Sequence, residues 1–199
     1  ETGIPEQRIQ RRDAKDNFWS TGGSGPCGPC TEIFYDRGPE HGAEGGPIVD
    51  ESRFLEFWNL VLMQFETDGT GNPEMKGSDA IVGPLPAPSI DTGSGLERVA
   101  MLLQDVPTVF DTDEFKPMVD LAVDLTGVGY TGRFGEGSPE SDTWIRVIAE
   151  HARATAFLIS DGVLPSNEGR GYVLRRLVRR AVNSARKLGT DASIMTPMM

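Results

Sequence analysis

The chain is poor in the side chains from which many protein sites are built. It has two cysteines, Cys27 and Cys30, and two histidines, His41 and His151, in 199 residues. One pair of cysteines is too few for a disulfide framework and supplies only half of a structural zinc site. No Ser-His or Cys-His arrangement typical of a nucleophilic enzyme is evident. The low cysteine content predicts a reducing, cytoplasmic compartment.

Long apolar runs are also missing. No stretch is long enough to span a bilayer, and no signal-peptide pattern is present. We therefore expect no membrane partner. The sequence shows no internal repeat, and its length suits one domain or two small ones.

Positive charge is scarce overall but concentrated in one segment. The formal net charge is −11, yet residues 170–187 contain seven basic side chains and no acid. Such a segment predicts contact with a polyanion, for example a nucleic acid. The alternative is a basic helix face that only contacts water.

The first half of the chain has the patterns of strands. Residues 31–36 predict one strand, and residues 54–65, apolar on both faces, predict a long central strand. Residues 37–50 and 66–88 predict loops because they are rich in Gly, Pro and acids. The glycine-rich segment 22–30 predicts a further loop, whose amides could surround a phosphate, although it matches no established phosphate-binding pattern.

The second half has the patterns of helices. Helical spacing predicts helices near residues 96–104, 112–125, 142–159 and 172–188, with a loop and a domain boundary between residues 127 and 141. The predicted core-facing stripe of the first helix contains Leu96, Val99, Ala100 and Leu103. Met101 and Leu102 fall on the opposite side, so we expect this helix to be buried on both sides. Together, strands followed by helices predict an α+β fold.

A central stretch, residues 89–104, combines polar groups with two glycines before a helix. Gly93 and Gly95 predict a tight turn that a ligand can approach closely. Arg98 should be paired or should bind an anion, because an isolated buried charge is costly. Asp91 could hold a substrate ammonium group, or it could simply form a turn before Thr92.

Other candidate residues have both a functional and a structural interpretation. Glu32 and Asn59 supply oxygen atoms of the kind that bind nucleotide-associated magnesium. A solvated edge carboxylate and a buried amide satisfied by backbone are equally good interpretations of these two. Trp19 alone is best interpreted as core. Cys27 and Cys30 are better interpreted as two buried thiols than as a metal or redox site.

The turn before the basic helix contains Asn167 and Glu168. Both are placed to touch nucleic-acid bases. The alternative for Asn167, and for Ser166, is to cap the helix.

Five segments in order now show a resemblance to the alanyl-tRNA synthetases, a family of class II aminoacyl-tRNA synthetases. The resemblance covers nearly the whole chain. The segments are DNFW at 16–19, GPCGPCTEI at 25–33, WNLVLMQF at 58–65, DTGSGLER at 91–98 and DGVLPSNEGRGYVLRR at 161–176. It implies that residues 1–135 are the second half of the class II antiparallel catalytic sheet, and that residues 136–199 begin a helical tRNA-recognition domain.

The resemblance also implies a reaction and roles for residues. Alanine and ATP would form alanyl-adenylate, and the alanyl group would pass to the 3′ end of tRNA(Ala). Residues 89–104 would be motif 3, with Arg98 against the ATP phosphates as the catalytic residue. The implied alanine-binding residues are Asp91, Gly93, Trp19 and Val61. The implied ATP- and magnesium-binding residues are Arg98, Glu32 and Asn59.

For the tRNA acceptor stem, Asn167 matches the family's asparagine that reads a G·U wobble pair. The basic helix would contact the same tRNA through Arg170, Arg175, Arg176, Arg179 and Arg180. At motif 3, Ser94 stands where many relatives have Met, a change that we expect to be tolerated.

Parts of the family pattern are missing. Motifs 1 and 2, the zinc-binding editing domain and the C-terminal oligomerisation region lie outside this sequence. We therefore expect an internal fragment that is inactive alone, and the oligomeric state of the whole protein is left open. Two other hypotheses are an RNA-binding piece that uses only residues 170–187 and a metal-binding module at Cys27 and Cys30. The combination of Asp91, Gly93 and Arg98 favours the enzyme.

Overall fold

The computed structural model describes residues 3–70, 81–135 and 137–199. The chain divides into two compact units, Glu1–Val99 and Ala100–Met199. The first unit contains an antiparallel sheet and the second is helical. This arrangement confirms the predicted α+β fold.

Over the described residues the sheet has four strands in the order β1-β2-β3-β4, and all neighbours are antiparallel. The strands are β1 (Phe18–Ser20), β2 (Gly25–Asp36), β3 (Phe54–Thr67) and β4 (Ile81–Ser94). β3 is an interior strand, as the apolar residues on both of its faces predicted.

β2 begins earlier than the sequence indicated. The prediction of a loop over residues 22–30 is wrong from Gly25 onward, because this part pairs with β1 and β3. The register shifts between Cys27 and Cys30, and at this irregularity Gly28 lies against the backbone of β3. A Cβ atom on Gly28 would be 1.9 Å from the carbonyl oxygen of Leu62, so only glycine fits there.

β4 replaces the end of the loop predicted over residues 66–88; residues 71–80 of that loop lie outside the described residues. The segment was expected to be irregular because of Pro84, Pro86 and Pro88. β4 is an edge strand, where prolines are tolerated. Its register on β3 also jumps, from Ser89 opposite Met63 to Pro84 opposite Phe65.

The α-helices described after the sheet are α1 (Leu96–Gln104), α2 (Lys116–Thr126), α3 (Glu140–Ser160), α4 (Gly169–Lys187) and α5 (Met195–Met198). The first four were predicted to within a few residues, and α5 was not predicted. Among the described helices, none combines the length and the apolar character needed to cross a membrane.

α1 was predicted to be buried on both sides, but the side of Leu96 and Leu103 is exposed. Leu96 and Leu103 are 59% and 82% exposed, whereas Met101 is 5% exposed. The predicted stripe is therefore wrong at Leu96 and Leu103, whereas Val99 and Ala100 are half-buried. Helical spacing identified the helix but not the side that is covered.

The core of the second unit lies between α2, α3, α4 and α5. Val119 and Ala122 of α2 pack in one cluster with Ile145 and Ile148 of α3. This packing puts α2 in the same compact unit as α3, although the sequence suggested a boundary near residue 135. A compact unit and a functional domain need not end at the same residue, so the functional division into 1–135 and 136–199 stays a prediction.

Candidate functional site

Two rows of paired residues cross the three strands β2, β3 and β4. One row contains Glu32, Asn59 and Gly93, and the other contains Cys30, Val61 and Asp91. Side chains two residues apart on a strand point to the same face, and directly paired residues share a face. The register therefore brings five of the predicted site residues to one face of the sheet: Glu32, Asn59, Val61, Asp91 and Gly93.

Asn59 has an unsatisfied polar atom in this face. Its Oδ1 is buried and accepts no hydrogen bond within the described part of the chain. The interpretation of Asn59 as an amide satisfied by backbone thus fails for its oxygen. Glu32, directly opposite on β2, is half-buried. The pair offers two kinds of oxygen that suit Mg²⁺.

Asp91 lies within β4 opposite Val61 and is exposed. Its Oδ1 accepts a hydrogen bond from the backbone N–H of Thr92 at 2.9 Å. The alternative of a turn-forming Asp is wrong, because the residue is part of a paired strand. Val61 beside it is 5% exposed, and apart from the two chain neighbours of Gly93 no described residue has an atom within 4 Å of the position that a Cβ on Gly93 would take. The carboxylate therefore borders open space and an apolar wall.

Trp19 is not in either row. It is half-buried on β1, which is the edge strand opposite to β4. Its partner on β2 is Gly28, which in turn lies against Leu62, the neighbour of Val61. Trp19 is thus about level with the segment 62–64 of β3 and is two strands away from it.

The Arg98 side chain is held by a backbone carbonyl group, a contact that the sequence did not predict. Its Nη1 donates to the carbonyl oxygen of Glu56 at 2.6 Å and lies 3.5 Å from the Glu56 carboxylate. The side chain is 47% exposed. Arg98 is not a buried charge, and it is paired with Glu56 of β3, which is one of the two alternatives that the sequence left open.

The link from β4 to α1 is held at the same place on β3. The carbonyl oxygen of Phe57 accepts hydrogen bonds from Ser94 Oγ at 2.9 Å and from the Gly95 N–H at 3.2 Å. Neither Gly93 nor Gly95 has a positive φ. The predicted glycine turn is wrong, since Gly93 belongs to β4 and a single residue, Gly95, separates β4 from α1.

The second residue that sequence reasoning missed is Cys30. It is 7% exposed and shares a row with Val61 and Asp91. Its position two residues before Glu32 was the available signal, because alternation puts both on one face. Cys27 is 1% exposed, and burial raises the pKa of its thiol. Neither cysteine is joined in a disulfide within the described part of the chain, as expected of two buried thiols.

In the second unit, α4 is strongly two-sided. Leu174, Ala181 and Ala185 are buried. The predicted RNA-binding arginines are all exposed: Arg170, Arg175, Arg176, Arg179 and Arg180. A groove along the exposed side is lined by four of these arginines together with Asn167 and Tyr172.

Asn167 lies in the turn before α4 and is exposed. It does not cap the helix: the N-cap residue is Glu168, and no side chain caps it. Ser166 Oγ instead donates to the Glu168 carbonyl at 2.7 Å. Asn167 Oδ1 accepts a hydrogen bond from Nη1 of Arg175, a contact that the sequence did not predict.

Comparisons with known proteins agree with the motifs. Over 201 residues, covering 99% of this chain, it is 54% identical to the alanine–tRNA ligase of Salinispora tropica. It is 52% identical over its whole length to that of Arthrobacter sp. (strain FB24), and 55% identical over 194 residues, 98% of the chain, to that of Parafrankia sp. (strain EAN1pec). The chain spans 21–22% of the length of these relatives. The family model described as tRNA synthetases class II (A) matches residues 1–199, so the chain belongs to this family.

Proposed function

We propose that the protein containing this chain joins alanine to tRNA(Ala) in two ATP-dependent steps. An oxygen of the alanine carboxylate attacks the α-phosphorus of ATP, the bond to the β-phosphate breaks, and alanyl-adenylate and pyrophosphate form. A hydroxyl of the terminal tRNA ribose then attacks the alanyl carbonyl and releases AMP. The observation that carries this proposal is the register that puts Asp91, Asn59 and Glu32 on one sheet face.

Alanine is held beside β4 in this proposal. The carboxylate of Asp91 pairs with the ammonium group of alanine, and the open space at Gly93 leaves room for a small side chain. Val61 supplies an apolar wall, and Trp19 closes the pocket from the side of β1. A charge-assisted bond of this kind is worth about 1.5–3 kcal/mol.

ATP lies toward the end of the same face. Arg98, held by the Glu56 carbonyl, presents its remaining N–H groups to the phosphates. Glu32 and the unsatisfied Oδ1 of Asn59 would hold Mg²⁺, which supplies charge neutralisation to the phosphates when bound. Among the described residues no cluster of three or more metal-binding side chains is present, so phosphate and water would complete the coordination.

The chemistry in this proposal needs positioning more than a protein nucleophile. Holding the carboxylate of alanine in line with the α-phosphate converts a bimolecular reaction into an effectively unimolecular one. Fixed positive charge near the phosphates stabilises the charge that develops in the transition state.

Residues 136–199 supply the tRNA contact in this proposal. Exposed arginines of α4 meet phosphates, and Asn167 contacts the wobble pair of the acceptor stem. We place the reaction in the cytoplasm, because a reducing compartment suits Cys27 and Cys30, which are not joined in a disulfide.

The test is Asp91→Ala in a full-length alanine–tRNA ligase that carries this sequence. Alanine-dependent ATP–pyrophosphate exchange should show a KM for alanine raised by about tenfold to a hundredfold, with a smaller effect on ATP. Arg98→Ala should act mainly on ATP. Thr92→Ala is the matched control, because Thr92 is next to Asp91 and belongs to the opposite face of β4.

The roles assigned to Asp91 and Arg98 are wrong if both substitutions raise only the KM for alanine. If neither changes the exchange reaction while tRNA still binds, the second candidate gains support. That candidate is an RNA-binding piece, favoured by the exposed arginines of α4.

A further inference from the structure

A hydrogen bond joins the turn before α4 to the second turn of that helix. Nη1 of Arg175 donates to Oδ1 of Asn167, and both residues are exposed. Arg175 is therefore not only one of a series of basic residues, because one of its donors is committed to a neighbouring side chain. This contact has no explanation in the packing of the core.

The backbone on either side of Asn167 is fixed separately. Ser166 Oγ donates to the Glu168 carbonyl at 2.7 Å. A Cβ atom on Gly171 would lie 2.3 Å from the Leu164 carbonyl oxygen and 2.4 Å from Ser166 Oγ, so the turn lies directly on the start of α4. Because the backbone is held in this way, the orientation of the Asn167 side chain depends on the rotation of its amide group.

We propose that Arg175 is a positioning residue that sets the orientation of the Asn167 amide for base-pair recognition. An amide has one face that accepts hydrogen bonds and one that donates them. A guanidinium only donates, so it binds the oxygen and would repel the NH₂ group of a reversed amide. The NH₂ group then points away from Arg175 as the donor offered to RNA. The inference rests on the proposed contact between Asn167 and tRNA.

The orientation predicts what Asn167 recognises. The minor groove of an RNA helix is wide and shallow, and it displays acceptor atoms such as purine N3 and pyrimidine O2. A fixed donor discriminates among arrangements of these acceptors, whereas a freely rotating amide adapts to several. Removing Arg175 should thus reduce selectivity between base pairs, and not only affinity.

The experiment uses the full-length enzyme with this sequence and two tRNAs, one with the G·U pair and one with G·C in its place. The kcat/KM for aminoacylation is measured for both with tRNA in excess of enzyme, and their ratio is the selectivity. The variants are Asn167→Ala, Arg175→Met, Arg175→Lys and the double variant of Asn167→Ala with Arg175→Met. Arg176→Met is the matched control, since it removes the same charge from an exposed neighbouring position.

We expect Arg175→Met to lower the selectivity about tenfold, which corresponds to about 1.4 kcal/mol. Arg175→Lys, which keeps a charged donor, should recover part of it. Arg176→Met should lower kcat/KM for both tRNAs by the same factor. The double variant should be no less selective than Asn167→Ala alone, because Arg175 has then lost its target.

Two results overturn the proposal in distinguishable ways. If Asn167→Ala loses selectivity but Arg175→Met lowers both tRNAs equally, Asn167 reads the pair without help and Arg175 is only a phosphate contact. If Asn167→Ala keeps full selectivity, the proposed base-reading role itself fails, and Arg175 has nothing to position. Melting temperatures of all variants identify any that are misfolded.

Discussion

Asp36 and Arg53 form a two-point ion pair at the end of β2. Arg53 Nε lies 2.6 Å from Asp36 Oδ1, and Arg53 Nη2 lies 3.0 Å from Asp36 Oδ2. These bonds, with a further one from the Gly38 N–H, lower the pKa of Asp36 to about 2. The pair belongs to the first unit, whose sheet positions the proposed alanine site.

This pair predicts a pH dependence of stability. In an unfolded chain the pKa of an Asp side chain is about 3.9. Because the folded pKa of Asp36 is lower, the stabilisation is complete above that pH and is lost as the pH falls toward about 2. NMR titration of the Asp36 carboxyl should give the low pKa, and Asp36→Asn should reduce the loss of stability between pH 5 and about pH 2.5. Glu51→Gln, at an exposed position, is the control; equal acid sensitivity of wild type and Asp36→Asn would contradict this account.

Single-residue inference from the sequence succeeded where it depended on strand alternation. Alternation along β3 predicted that Asn59 and Val61 share a face, and the structure agrees. It failed where a partner is a backbone group. Arg98 is held by the backbone carbonyl of Glu56. Every residue type has such a carbonyl, so this partner leaves no signal in the sequence. The contact of Arg175 with Asn167 similarly depends on how a turn folds onto its helix.

At the scale of elements, β2 depends on the absence of a side chain at Gly28. We predict that Gly28→Ala destabilises the sheet by about 1–3 kcal/mol, because the new Cβ would overlap the Leu62 carbonyl. Urea unfolding of the full-length protein measures the change. Faster hydrogen exchange at β2 and β3 amides would assign it to the sheet.

Gly83→Ala is a suitable control for that substitution. Gly83 lies in β4, and no atom of the described residues, its two chain neighbours apart, is within 4 Å of the position of its added Cβ. The control should change stability little. Equal effects of the two substitutions would mean that loss of chain flexibility, and not the close approach to Leu62, is responsible.

The elements also show where sequence patterns are insufficient. β4 was missed because prolines and glycines normally break strands, and the pattern does not tell an edge strand from a loop. The register that forms the two rows of site residues could not be predicted either. A shift of one residue would reverse every side chain, and the irregularity at Cys27–Cys30 fixes the pairing that is observed.

At the scale of the whole molecule, net charge and local charge point in opposite directions. The chain carries −11, yet α4 presents its arginines on one exposed side. Composition alone would argue against an RNA partner, whereas the distribution of charge argues for one. The sequence was sufficient to predict this local concentration of charge, because the basic residues lie on consecutive turns of one helix.

The final prediction separates these two electrostatic effects. Arg179→Ala in the full-length protein should weaken binding of all tRNAs alike, because a phosphate contact carries no sequence information. It should also reduce the slope of log K against log salt by about 1, since one fewer counterion is released. Arg11→Ala is the matched control: it changes the net charge equally, but this exposed residue lies far along the chain from α4. If Arg11→Ala reduces the salt slope as much as Arg179→Ala, the overall charge governs binding and α4 is not the RNA-binding surface.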